Sequence, residues 1–190
     1  MALWGATDAD ESKPKWMTTA DKKEVLATTA GWVVEAGSVM TGNDNTASTP
    51  EVLIATGGLT VSLGAATIDS VDWNITTFDK SAGGTLSVTV RYNEAVDVAT
   101  SNPTLIATNS VNSNHTLTYA SGTGSNELVF TLAIAAANAA TDADDVLSVA
   151  AQNVVLAGGS TIKDAGTATT SEVAISAAQG TAAGSITVVA

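Results

Sequence analysis

In the stretch "GTLSVTVRY", Leu86, Val88, Val90 and Tyr92 alternate with Ser87, Thr89 and Arg91. A chain that repeats every second residue puts one set of side chains on each face of a strand, so this segment predicts a half-buried β-strand with its apolar face inward. The pattern recurs. Leu117 and Tyr119 in "HTLTYAS", and Leu128, Phe130 and Leu132 in "ELVFTLAI", are expected on the inner face of further strands. With "TIDSVDWNIT", "PTLIAT", "DVLSVAAQNVVLAG" and "ATTSEVAIS", about seven strands bounded by Gly, Asn, Asp, Ser or Pro fall within about 110 residues, the size of an immunoglobulin-like β-sandwich. The chain has no cysteine, so packing alone must hold the sheets together.

The predicted fold class is therefore all-β: an immunoglobulin-like β-sandwich over residues 67–190, preceded by a small, mostly β module over residues 1–66. In that module "GWVVEAGSVM" and "EVLIATGGLTVSL" are runs of strand length, and the polar "TGNDNTASTP" between them reads as a hairpin loop or an exposed excursion. Asp21 is expected to cap a helix of about two turns through "KKEVLA", with Glu24 in the capping-box position. Gly122 and Gly124 in "ASGTGSN" fit a strand connection that needs positive φ; their spacing matches neither a phosphate loop nor a dinucleotide fingerprint.

Charge narrows the function. The formal net charge is -12. Residues 1–24 carry Lys13, Lys15, Lys22 and Lys23 against five acids, while the rest of the chain has only Lys80, Arg91 and Lys163 against fourteen. Such a surface repels phosphate backbones and anionic lipid, so neither nucleic acid nor a membrane is an expected partner. No run approaches the length of a membrane span, and the start of the chain lacks the basic-then-apolar order of a secretion signal.

Little in the sequence argues for catalysis or a cofactor. His115 stands alone, with no nucleophile motif or second metal-binding histidine nearby. Asp142, Asp144 and Asp145 in "TDADD", with Asp164 further on, are weak calcium candidates, but they lack the order of an EF-hand loop; a solvated acidic turn is the preferred reading, with no metal. A glycosidase would want aromatic platforms, whereas Trp73 alternates with Val71 and Ile75 as a core residue would. The sequons at Asn74 and Asn114 matter only in a secreted eukaryotic protein. Trp4 and Trp16 lie in a polar segment too short to build its own core. Packing on the adjacent strands and insertion into a partner surface both remain open for them.

Two resemblances bear on function. Tyr92, Glu94 and Val96, then Tyr119, Ser121, Gly122, Gly124, Asn126, Leu128 and Phe130, then Gly158, Gly159, Ile162 and Asp164, make residues 69–176 similar to the bacterial Ig-like repeats of large surface and virion proteins. This implies a sandwich rather than an activity. Across residues 1–59, "MALWG", "SKPKW", "GWVVEAG" and "EVLIATGGL" resemble the opening module of small structural proteins from tailed phages of marine cyanobacteria, departing from it in the loop around Asn43.

The second resemblance implies a non-enzymatic virion protein on the capsid surface, assembled in the host cytoplasm. The expected role is capsid decoration. The major capsid protein, or another shell protein, would be met by Trp4, Lys13, Lys15, Trp16, Lys22 and Lys23; a homo-oligomer and a weak contact to host-surface glycan are further possibilities. The alternative is a tail-fibre or adhesin-type module that recognises a host glycan or receptor.

Overall fold

The computed structural model describes residues 13, 16–28, 30–46, 49–55 and 65–190. Trp4 and Lys15 lie outside the described residues, as do the whole of "MALWG", all of "SKPKW" but Lys13 and Trp16, and the second half of "EVLIATGGLTVSL".

The N-terminal arm opens with α1 (Thr19–Lys23), followed by β1 (Val25–Thr28), β2 (Gly31–Val34) and β3 (Glu51–Ala55). These strands form an antiparallel sheet in the order β1-β2-β3. "TGNDNTASTP" thus falls in the connection between two paired strands. Met17, Val25, Ala27 and Trp32 make a small core, with Met40, Leu53 and Ile54 packed against it.

The helix differs from the sequence expectation. Thr18, not Asp21, is the cap: its Oγ1 accepts from the Asp21 amide at 3.1 Å, and the helix ends at Glu24. Val25, Leu26 and Ala27 go to the sheet, where all three are buried. A two-turn helix would have left part of that apolar run in water, and its burial outweighs the helical propensity of "KKEVLA".

The sandwich comprises β4 (Ile68–Trp73), β5 (Phe78–Asp79), β6 (Gly84–Ala99), β7 (Thr104–Asn109), β8 (His115–Ser121), β9 (Ser125–Ile134), β10 (Val146–Ser148), β11 (Gln152–Asn153), β12 (Thr161–Asp164), β13 (Ala174–Ile175), α2 (Ala177–Ala183) and β14 (Ser185–Val189). One continuous sheet runs β12-β6-β9-β8-β7-β10-β14-β5, with β4 also paired to β6. It curls around one core to which β4, β6, β7, β8, β9, β10 and β14 all contribute. The pairings are antiparallel except β14 with β5. A separate pair, β11 and β13, lies beside them.

Leu86, Val88, Val90, Tyr92, Leu105, Leu117, Leu128 and Phe130 are fully buried in this core, as the two-residue period requires. Tyr119 and Leu132 also pack against it but are only half-buried. Tyr119 meets the Phe130 ring edge-on at 6.1 Å.

Tyr92, Gly122 and Asn126 each hold a specific backbone position. Between Arg91 and Val96 the β6–β9 register shifts, and the buried Asn126 amide donates to the freed Tyr92 carbonyl at 3.3 Å. Gly122 sits at φ +115°, where a Cβ would lie 1.8 Å from the Glu127 carbonyl oxygen. Only glycine allows that approach. The Tyr92 hydroxyl donates to the Glu172 carbonyl at 3.0 Å, and the Glu172 carboxylate accepts from the Ile68 amide at 2.9 Å, tying β4 and β6 to the segment before β13.

Three elements depart from the expected strand series. "DVLSVAAQNVVLAG" is split between β10, β11 and a lone bridge from Val155 to Thr104. Only Ala174 and Ile175 of "ATTSEVAIS" are in a strand. The following "SAAQGTAAG" is α2, closed by a capping box in which Ser176 Oγ accepts from the Gln179 amide and the Gln179 side chain accepts from the Ser176 amide.

Candidate functional site

The arm lies against the outer face of the β4–β6 wall, with β1 next to β6. The seam is organised by Arg91, the one arginine of the sequence. Strand alternation turns its side chain away from the core, and the arm covers it. Its Nη1 donates to Asp72 Oδ2 and its Nε to Glu127 Oε1, each at 2.7 Å, while Nη2 is 3.8 Å from Glu24 Oε1 on the arm. Asp72 also takes hydrogen bonds from Lys23 Nζ and, at 3.0 Å, from Ser70 Oγ. Burial pushes the Asp72 carboxyl up, but the hydrogen bonds from Lys23 and Ser70 and the charges of Lys23 and Arg91 outweigh it and hold it below its ordinary value. Glu24 receives a second tie from Ser38 Oγ at 2.8 Å. Nearby, Glu35 is pushed up, by burial first and then by the Glu127 charge.

Lys13 forms a second clasp. Its Nζ lies 2.6 Å from Asp69 Oδ2, donates to the Lys22 carbonyl at 2.7 Å, and stands 5.9 Å from the centroid of the Trp32 ring. Two of the lysines expected to meet a partner, Lys13 and Lys23, are therefore engaged by the sandwich of their own chain. The Lys22 side chain makes no ion pair among the described residues, and Trp16 is 71% exposed.

Between the arm and the body runs a groove of about 650 Å³. Trp32, Val71, Ala178 and Ala182 supply its apolar lining, and Lys13, Lys22, Lys23, Asp69 and Asp72 line it as well.

The acidic turn is occupied by its own contacts. Asp142 pairs with Lys80, and Asp145, fully buried, accepts from the Asn109 side chain at 2.8 Å, the Asn112 side chain at 2.9 Å and the Asp142 amide at 2.8 Å. Asp144 takes a left-handed backbone at φ +70° and donates its amide to the Val188 carbonyl. Among the described residues, no three histidine or carboxylate side chains gather to hold a metal ion. Asp142, Asp144 and Asp145 thus build a turn, and Asp164 caps another by accepting from the Gly166 and Thr167 amides. His115 is buried with Nε2 unpartnered; burial lowers its pKa, opposed by the Asp145 charge.

Sequence reasoning missed the seam. It placed Arg91 on a polar face without asking what covers that face. The available signal was the single arginine on an aliphatic strand, with Asp69 and Asp72 in "TIDSVDW" on the strand that pairs with it. No protein family, curated protein or solved structure matches this chain.

Proposed function

We propose that this chain is a non-enzymatic structural protein of a tailed-phage virion, a capsid decoration protein that holds the shell through its N-terminal arm and presents its acidic sandwich to solvent. The observation that carries the reading is Trp16. It is an exposed indole on the arm, while Trp32 is buried and Trp73 packs against the sandwich core. Exposed aromatics of this kind are typical interface anchors. The resemblance of residues 1–59 to cyanophage structural proteins supplies the address.

The charge distribution supports the same division of labour. A chain of net charge -12 keeps its copies apart on a crowded shell. Lys13 and Lys23 hold the arm to the body, so the contact with the major capsid protein or another shell protein falls to Trp16, Lys22 and the residues before them. The test is incorporation: particles are assembled with wild-type protein, W16A, or a chain lacking residues 1–12, and bound copies are counted by mass spectrometry. W16A and the truncation are expected to be lost from particles while their circular dichroism stays that of a β-protein. Full incorporation of both folded variants refutes the reading.

A further inference from the structure

Where β2 ends, carboxylates of the arm meet a carboxylate of the body. Glu35 follows Val34, the last residue of that strand. The register that sets Val25 opposite Val34 places Glu24 beside Glu35, and Glu51 stands opposite Val34 on β3. From the body, Arg91 on β6 and Glu127 on β9 line the same hollow of about 350 Å³ as Glu24 and Glu35. The guanidinium is already divided among other carboxylates: Nε donates to Glu127, Nη1 donates to Asp72, and Nη2 is 3.8 Å from Glu24. Lys23 is held by Asp72. The neutral donors of the hollow are spent as well, since Ser38 Oγ donates to Glu24, Ser125 Oγ to the Gly122 carbonyl and the Asn126 side chain to the Tyr92 carbonyl. Glu35 is left half-buried, its carboxylate without a hydrogen bond or ion pair among the described residues.

We infer that Glu35 is a proton-operated latch of the arm: protonated, it lets the arm close on the body, and ionised, it sets a second negative charge against Glu127 and loosens that hold. Like charges facing each other across paired strands destabilise the pairing, and partial burial adds the cost of keeping an ionised group out of water. The docked arm therefore binds this proton more tightly than a free arm would. Burial first, and the Glu127 charge second, raise the Glu35 carboxyl above its ordinary 4.5, so the gain in hold is complete below 4.5 and is lost as pH rises through the docked value. Asp72, in the same seam, has the opposite slope: its contribution is complete above 3.8 and is lost as pH falls through its lower, docked value. Acid thus tightens the arm only until Asp72 takes up its own proton. The latch concerns the arm's hold on its own body and stands whether or not a virion shell is the arm's partner.

The experiment uses the full-length chain, labelled with carbon-13 and nitrogen-15, and its E35Q variant. Because Arg91 is the one arginine of the sequence, its Nε–H gives a single resonance, and the arm covers that group, so its exchange with solvent reads how often the arm lifts. At pH 7 the Arg91 Nε–H of E35Q should exchange up to about fivefold more slowly than that of wild type, the scale of an opposed like-charge pair. At pH 4 the two proteins should agree. The backbone amides of Leu117 and Leu128, in the body, should agree at both pH values, and His115 is common to the two chains, so its titration cancels. In wild type alone, the Glu35 carboxyl carbon should titrate with its midpoint above 4.5, and E127Q should lower that midpoint. A midpoint at or below 4.5, equal or faster Nε–H exchange in E35Q at pH 7, a difference that persists at pH 4, or body amides slowed as much as Arg91 overturns the latch.

Discussion

Replacing Asp72 by asparagine removes the charge that Lys23 and Arg91 share while keeping the side chain's shape. The structure sets the size of the effect. The Asp72, Lys23 and Arg91 side chains are 23%, 34% and 16% exposed, so the cluster is neither a surface pair nor a dry one. Exposed pairs contribute up to about 1 kcal/mol, and breaking a buried pair costs about 3–5 kcal/mol. D72N is therefore expected to destabilise by about 2 kcal/mol, a fall in Tm of about 4–8 °C for a chain of this length. Equilibrium urea unfolding followed by tryptophan fluorescence measures it. In a cycle with K23Q the two changes should be non-additive, because Lys23 has no second carboxylate in this network. The sign with pH also follows. The folded Asp72 carboxyl lies below its ordinary value of 3.8, so its contribution is complete above that value and disappears as pH falls through the lower, folded one. A D72N protein within about 0.3 kcal/mol of wild type at neutral pH, below the usual spread of additive effects, would show that the arm is held by apolar packing alone.

Further expectations concern the sandwich. Y92F removes the hydroxyl that donates to the Glu172 carbonyl at 3.0 Å and should cost about 1–1.5 kcal/mol by urea unfolding. G122A places a methyl group on the Glu127 carbonyl and should leave little soluble protein, whereas G124A, whose Cβ meets nothing within 4 Å, should be milder; thermal melts of both make the comparison. The folded His115 pKa is lowered from 6.5, so the unfolded chain binds its proton first and stability should drop as pH falls below that value. H115Q is expected to flatten this slope in melts between pH 5 and 7.

The strands that could be read from sequence were those whose two faces differ. β6 carries Leu86, Val88, Val90 and Tyr92, and β9 carries Leu128, Phe130 and Leu132, at every second position, and the structure buries all of them except Leu132, which is half-buried. Where one face does not dominate, local pattern fails. Val25 to Ala27 is buried throughout because the arm's own core and the body close on it, and a helical cap signal just upstream pointed elsewhere. The Ala- and Gly-rich α2 lacks an apolar stripe altogether; its Ser176–Gln179 box was the readable mark. The candidate site was half legible. Trp16 is exposed, and the described lysines near it divide into two that bind the chain's own aspartates and one, Lys22, with no ion pair among the described residues. That division depends on which wall the arm covers, and spacing along the chain carries no record of it.

Cryo-electron microscopy of an intact particle containing this protein tests the central claim most directly. The account predicts density for the curled sandwich on the outside of the capsid, with the arm and Trp16 buried against the shell and the acidic body facing solvent. Density at a tail fibre with the sandwich loops outermost, or particles in which the chain is absent, would contradict it.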